Sequence, residues 1–249
     1  MKLQFDERPY AGKTFRPTPE IHMDERSKLL IVATPWGART SAKKVIERMT
    51  DYLSLASEDN EATSPFERLS CLSGQANNLR VATLLANEAL YREDNTQEYR
   101  SGVELFAAMV DENEIVWVQA GNPHILLGRT GRTLLPVGSN IDLSFDLSEG
   151  DALLPPLPSQ LLGLDMSINL NINSFRARVG DRVVLLSYSH IPETLFGMKK
   201  DDISLDSMAK LLATYKPDLA FWLGLLSVSE TSSERDRETD LESDQEAAR

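Results

Sequence analysis

The sequence predicts an α+β protein in which antiparallel sheets are covered by helices. Apolar residues recur at helical spacing in three segments and form short alternating or wholly apolar runs elsewhere. Tight turns containing Gly, Asn, Asp and Pro separate the short runs. With 249 residues, 41% of them hydrophobic, the chain can bury one sizeable core, and a single folded domain over residues 1-228 is expected. A disordered acidic tail, residues 229-249, is expected to follow it.

The opening, as far as Met23, mixes Pro9, Pro17 and Pro19 with isolated apolar residues and reads as an extended edge segment. Leu29 to Ala33 is a wholly apolar run stopped by Pro35 and Gly37, a buried strand ending in a turn. From Ser41 the residues Val45, Met49, Tyr52 and Leu53 mark an amphipathic helix. A polar loop around Glu58-Asp59-Asn60-Glu61 leads to a second helix, Leu79 to Tyr91, with Ala82, Leu85, Ala86, Ala89 and Leu90 on its apolar face.

After Gly102 the period becomes extended. Leu105 to Val110, Ile115 to Val118 and Ile125 to Leu127 are short strands, and the turns Asp111-Glu112-Asn113 and Gly121-Asn122-Pro123 predict consecutive antiparallel hairpins. Gly128-Arg129-Thr130-Gly131 is a further hairpin turn, before a strand near Thr133-Leu134-Leu135. Residues 138-160, rich in Asp, Ser and Pro, read as an exposed flap. Ile168 to Ile172 alternates cleanly, and Asp181 to Leu186 is a buried strand. A helix from Leu205 to Tyr215 and a strand from Ala220 to Leu226 complete the pattern.

Composition excludes several classes of function. A net charge of −12 argues against a nucleic-acid duplex or an anionic membrane as partner, since either needs a positive field. There is no apolar run of membrane-spanning length, and the start, Met1-Lys2-Leu3-Gln4-Phe5-Asp6, lacks the apolar stretch of a secretory signal, so a cytoplasmic location is expected. The lone Cys71 rules out an intramolecular disulfide and reads as a small buried apolar residue. From Glu230 onward the chain carries eight acids and three arginines with almost nothing to bury, which suits either solubility or an acidic docking segment.

Gly102 stands before the central hairpin, Gly121 between two strands, Leu162-Gly163 after the flap, and Gly180-Asp181-Arg182 leads the strand Val183-Val184-Leu185-Leu186. This order of landmarks resembles the PPM-type (type 2C) metal-dependent protein phosphatases over roughly residues 12-228. The resemblance implies a four-layer αββα sandwich of two antiparallel sheets flanked by helices. It also implies two divalent cations, held mainly by carboxylates, that activate a bridging water and clamp a phosphoryl group.

The chemical positions depart from that pattern. Where the family has Ala-Asp-Gly, this chain has Ala33-Thr34-Pro35-Trp36-Gly37, so Thr34 replaces the bridging carboxylate. Ser-Asp-Gly reads Tyr188-Ser189-His190, Gly-Asp-Ser reads Gly121-Asn122-Pro123, and Gly-Thr-Thr reads Gly102-Val103-Glu104. Glu20 and Asp218 match surviving acids, and Arg16 keeps the spacing Arg-x-x-x-Glu to Glu20; in some relatives that Arg contacts the substrate phosphate, although a surface Arg paired with an acid is the plainer reading. Arg16, Glu20, Thr34, Gly37, Asn122, Ser189 and Asp218 are thus degenerate former active-site positions, with no catalytic residue, metal or cofactor expected.

His22, His124 and His190 lack ligand spacing for zinc. Trp117 and Trp222 read as core; Trp36, in the turn that flanks the former site, reads either as a plug of the cleft or as an anchor for a partner, and His190 as a filler of vacated space or a partner contact. Two functions follow. One is a pseudophosphatase that binds and regulates another protein, a phosphorylated one included. The other is a weakly active or altered metal-dependent serine/threonine phosphatase using Glu20, Asp218 and acids the sequence does not place.

Overall fold

The structure is a computed structural model, and it describes residues 1–58, 66–138, 161–188 and 191–230. The expected flap at 138-160 lies outside these residues but for Gly138, and so does the tail beyond Glu230.

Among the described residues, ten strands form two five-stranded antiparallel sheets. The first sheet has the order β2-β3-β4-β5-β8, built from β2 (Glu20–Asp24), β3 (Leu29–Gly37), β4 (Ser101–Asp111), β5 (Glu114–Ala120) and β8 (Asn171–Arg176). The second has the order β1-β10-β9-β6-β7, from β1 (Lys2–Tyr10), β10 (Phe221–Ser229), β9 (Arg182–Ser187), β6 (His124–Gly128) and β7 (Leu135–Gly138). The expected edge character of the opening holds for both of its strands: β1 and β2 each border a sheet.

Strand periodicity sorts the core into layers. On β3, Leu29, Ile31 and Ala33 pack with Val45 and Met49 of α1 (Thr40–Glu58) and with Leu79, Ala82 and Ala86 of α2 (Gly74–Leu90). Leu30 and Val32 point the other way and meet Trp117, Val183, Leu185 and Trp222 between the sheets. The outer face of the second sheet, through Val184, Leu186, Phe221 and Leu223, is covered by Leu195 of the short α3 (Glu193–Phe196) and by Met208, Ala209 and Leu212 of α4 (Leu205–Tyr215). The result is the expected αββα sandwich. Both faces of each central strand are buried, which is why β3 and β4 read as continuous apolar runs.

α4 matches its expected span, and Ser204 caps it by accepting from the Ser207 backbone N–H. α2 starts five residues earlier than the apolar pattern indicates. Ser73 caps it, and buried Asn77 donates to the Leu69 and Leu72 carbonyls, pinning the preceding loop. That loop is held by an amide and not by a buried thiol, so Cys71 is exposed, contrary to the sequence reading. β7 and β8 each lie further along the chain than the sequence suggests.

The hairpin reading holds for β4–β5 and for β6–β7, joined through Gly128 to Gly131. It fails at Gly121-Asn122-Pro123. The second edge of β5 is taken by β8, and β6 lies between β9 and β7, so this turn carries the chain from one sheet to the other. No helix among the described residues is long and apolar enough to cross a membrane.

Candidate functional site

Strand register decides what meets at one end of the sandwich. Thr34 lies opposite Glu104 across the β3–β4 ladder. Both share the parity of Val32 and Phe106, which face between the sheets, so both side chains point inward there. From the other sheet Ser187, the last residue of β9, has the inward parity of Val183 and Leu185.

Arg16, in the segment joining β1 and β2, bridges these groups. Its Nη2 donates to Glu104 Oε2 at 2.9 Å and to Ser187 Oγ at 3.0 Å, so one guanidinium ties a carboxylate on one sheet to a hydroxyl on the other. Its central carbon lies 5.8 Å from the centroid of the Trp36 ring, within cation–π range. The Glu104 side chain is 0% exposed and that of Arg16 14%. The sequence reading of Arg16 as paired with an acid therefore holds, but the pair is buried and the acid is Glu104. Withdrawing a carboxylate from water costs several kcal/mol, which a close counter-charge offsets.

Trp36 is half-buried and covers the guanidinium, filling the cleft instead of projecting from it. Gly37 comes next with φ +91°, and a side chain there would run into the Arg100 carbonyl, so backbone geometry alone accounts for the glycine. Glu104 Oε1, Arg16 Nε and Trp36 Nε1 are buried without a hydrogen-bond partner among the described residues. Ser189 and His190 lie outside the described residues.

The remaining expected positions share this end of the molecule without converging. Asn122 sits in the sheet-to-sheet turn, where the Gln119 side-chain amide donates to the carbonyls of Gly121 and Pro123 at 2.9 and 2.6 Å. Glu20 pairs in register with Ala33, whose side chain belongs to the helix-side cluster, so register puts Glu20 on the face opposite to Thr34. Asp218 is on the surface, its side chain 63% exposed and 3.0 Å from Lys13 Nζ. Among the described residues no group of three or more His, Cys, Asp or Glu side chains could hold a metal.

Glu104 is the residue that sequence reasoning undervalued. It stood only as a departure from Gly-Thr-Thr, yet it is the sole acid within the apolar stretch from Val103 to Val110. An acid in such a run requires a counter-charge brought from elsewhere, and that was the available signal. Among the described residues, the side chains at Thr34 are two hydroxyls and one carboxylate already balanced by a guanidinium. A hard dication takes several oxygens with anionic ones among them, and this donor set does not fit the two cations that the family resemblance implies. Of the guanidinium nitrogens, Nη2 is committed to Glu104 and Ser187.

Scaffold features around the cleft are well defined. Leu162 bridges to Val103, and Gly163 has φ +87°, where a Cβ would stand 2.5 Å from Leu90 Cδ2. Asn95, in a π-helical turn after α2 (Tyr91–Asn95), donates to the carbonyls of Ser101 and Gly163 at 2.6 Å each and accepts from the Arg100 and Ser101 amides. At the far end of β9, Asp181 forms a two-pronged ion pair with Arg129, at 2.9 Å to Nε and 2.6 Å to Nη2. That carboxylate raises the Arg129 pKa above its ordinary value.

Solved structures with this architecture include serine/threonine phosphatases. The PPM Ser-Thr phosphatase MsPP from Mycobacterium smegmatis, in complex with cacodylate, superposes with a TM-score of 0.64 at 15% identity over 92% of this chain and 99% of its own. The Mycobacterium tuberculosis serine/threonine phosphatase PstP/Ppp gives 0.62 at 15% identity, covering 92% and 100%. PppA, a regulatory component of the T6SS in Pseudomonas aeruginosa, gives 0.61 at 15%, covering 91% and 98%. The PstP catalytic domain is also known in complex with 2 manganese ions. The chain therefore has the PPM phosphatase fold over nearly its whole described length. No family model matches the sequence, and no curated protein matches it.

Proposed function

We propose that this chain is a degenerate PPM-type domain, a pseudophosphatase that binds and regulates another protein, a phosphorylated one included, and does not carry out metal-dependent hydrolysis. The Arg16–Glu104 pair carries this reading. A guanidinium bridging Glu104 and Ser187 between the sheets supplies the positive charge that the cleft needs, with Thr34 neutral beside it. The test is to titrate manganese while following Trp fluorescence, for which Trp36 is a local reporter, and to assay a chromogenic phosphate ester in the same samples. No saturable signal and no turnover above the blank are expected. Saturable binding with turnover would reject the reading.

One observation favours the alternative, a weakly active or altered serine/threonine phosphatase. Glu104 contributes a buried carboxylate whose Oε1 has no partner among the described residues. That carboxylate is an acid beyond the matched pair Glu20 and Asp218, and turnover that disappears in Glu104→Gln would establish this second reading.

A further inference from the structure

Three buried polar atoms around one guanidinium lack a hydrogen-bond partner among the described residues: Arg16 Nε, Trp36 Nε1 and Glu104 Oε1. They belong to groups in contact. Arg16 Nη2 stands 2.9 Å from Glu104 Oε2, and the Arg16 central carbon lies 5.8 Å from the centroid of the Trp36 ring. The Glu104 side chain is 0% exposed and that of Arg16 14%, in surroundings where polar atoms are normally bonded. Leaving such atoms unmet costs free energy that a matching group would return. Nη2 has no share in this deficit, since it serves Glu104 and Ser187. Thr34, cross-strand from Glu104, adds a buried neutral hydroxyl. Trp36, the penultimate residue of β3, is half-buried and lies over the guanidinium.

Two N–H donors and one anionic acceptor define the group that answers all three: it accepts hydrogen bonds, donates one and carries no charge. A hydroxyl does this with two lone pairs and one proton. A primary carboxamide has the same capacity at greater size. An ammonium only donates, and it would set its charge beside the guanidinium. A phosphate monoester, close to doubly charged at neutral pH, mainly accepts, and its oxygens would meet Oε1. The charges of Arg16 and Glu104 cancel, so the pair offers a phosphate no net field in exchange for its lost water. A methyl group satisfies none of the three atoms.

We propose that the cleft receives the uncharged hydroxyl of an unmodified Ser or Thr side chain on the partner protein, held by Arg16 Nε, Trp36 Nε1 and Glu104 Oε1, and that it discriminates against the phosphorylated form of the same residue. The inference rests on the reading of the cleft as a protein-binding site without hydrolysis, and it narrows the partner to its unphosphorylated state. Trp36 is the group that yields to admit the hydroxyl: it stands next to the last residue of its strand, Gly37, and its indole turns its N–H onto the incoming oxygen.

The test uses the 15N-labelled full chain, in which the Trp36 indole N–H and the Arg16 Nε–H give resonances of their own. The probes are pentapeptide pools with randomised flanks and a fixed central Ser, phosphoserine, Asn, Lys or Ala. The Ser pool should shift both resonances saturably, the phosphoserine pool should bind about tenfold more weakly or worse, and the Ala pool should leave them in place. In Glu104→Gln the side-chain oxygen still accepts but its charge is gone, so the preference for Ser over phosphoserine should collapse; dispersed resonances report that this variant is folded. Trp36→Phe keeps a ring over the guanidinium, removes one donor, and should weaken the Ser pool by roughly three- to tenfold at the Arg16 resonance. Phosphoserine bound as tightly as Ser, or Ala shifting both resonances equally, would overturn the proposal. An Asn or Lys pool that surpasses Ser would overturn the assignment to a hydroxyl. Silence from every pool at about 10 mM, a concentration that registers even a millimolar Kd, would overturn it as well. Manganese-dependent release of phosphate from the phosphoserine pool would instead defeat the underlying reading of the cleft, so the two failures are distinct.

Discussion

Arg16→Ala is the most incisive perturbation available in this fold. It removes the counter-charge from a carboxylate that is 0% exposed and 2.9 Å from the lost guanidinium, and it deprives the Ser187 hydroxyl of the donor it accepts from. Breaking a buried ion pair by deleting one partner costs about 3–5 kcal/mol. Loss of the contact with Trp36 adds about 0.5–1 kcal/mol at a partly exposed site. The double variant Arg16→Met/Glu104→Leu should recover most of the loss, because both desolvation penalties vanish together and the volumes are roughly kept. Urea unfolding of the parent, the singles Arg16→Met and Glu104→Leu and the double variant, followed by Trp fluorescence and far-ultraviolet circular dichroism, gives the free energies of a double-mutant cycle at constant m. The cycle should show a coupling of at least about 2 kcal/mol. A single variant within about 1 kcal/mol of the parent, or a double variant as unstable as the sum of its singles, would refute the idea that this pair balances charge between the sheets.

Three further outcomes follow from the same geometry. Gly163→Ala should cost roughly 2–5 kcal/mol in denaturant unfolding, from a positive φ and a collision with Leu90, and adding Leu90→Ala should relieve only the steric part. Asp181→Asn should cost about 3 kcal/mol by the same measurement, since Arg129 then loses its two-pronged partner in a site where the acid is 2% exposed. Burial, with a smaller contribution from Tyr215, pushes the Tyr188 phenol up to about 12. The unfolded phenol ionises near its ordinary value of about 10, so stability is intact below that pH. It should then fall by about 1.4 kcal/mol per pH unit as pH rises from about 10 to about 12. Tyr188→Phe should remove that component of the alkaline slope in unfolding measured at successive pH values.

The layers were legible because each is written in a local period. Val45, Met49 and Leu53 mark one helical face, and Leu29 to Ala33 is apolar on both faces because helices lie on one side and a second sheet on the other. The allocation of strands to sheets was not legible. Gly121-Asn122-Pro123 has the composition of a hairpin turn, and what separates β5 from β6 is that each finds its partner far along the chain, Gln119 opposite Asn171 in β8 and His124 opposite Leu186 in β9. Local pattern carries no trace of such pairing. The candidate site was legible as a retained arginine at 16 and a replaced acid at 34, but not as a geometry. Glu20 falls on the wrong face because strand parity, set by its register with Ala33, outweighs its distance in sequence from Arg16. Asp218 is drawn to the surface by Lys13, whose amide, with that of Thr14, also holds the Asp218 carbonyl.

Thr34 and Glu104 are best understood together, because they are cross-strand neighbours on one face. Acids at both positions would set like charges about 4.5–5.5 Å apart at Cβ, which is destabilising unless a cation stands between them. The family motif places its acid on the strand corresponding to β3 and a Thr on the next; here the hydroxyl is on β3 and the acid on β4. This exchange keeps one negative charge facing the inter-sheet gap while moving it sideways by one strand. At its new position Oε2 is reached by Arg16, which also binds Ser187 of the opposite sheet. A dication could claim Oε2 of that carboxylate only after the guanidinium had swung out from beneath Trp36 and surrendered both contacts, which leaves Oε1 as the oxygen open to a ligand while Arg16 stays in place. Of the two readings of the cleft, the one in which Arg16 stays in place requires no such displacement, and this difference is what the manganese titration measures.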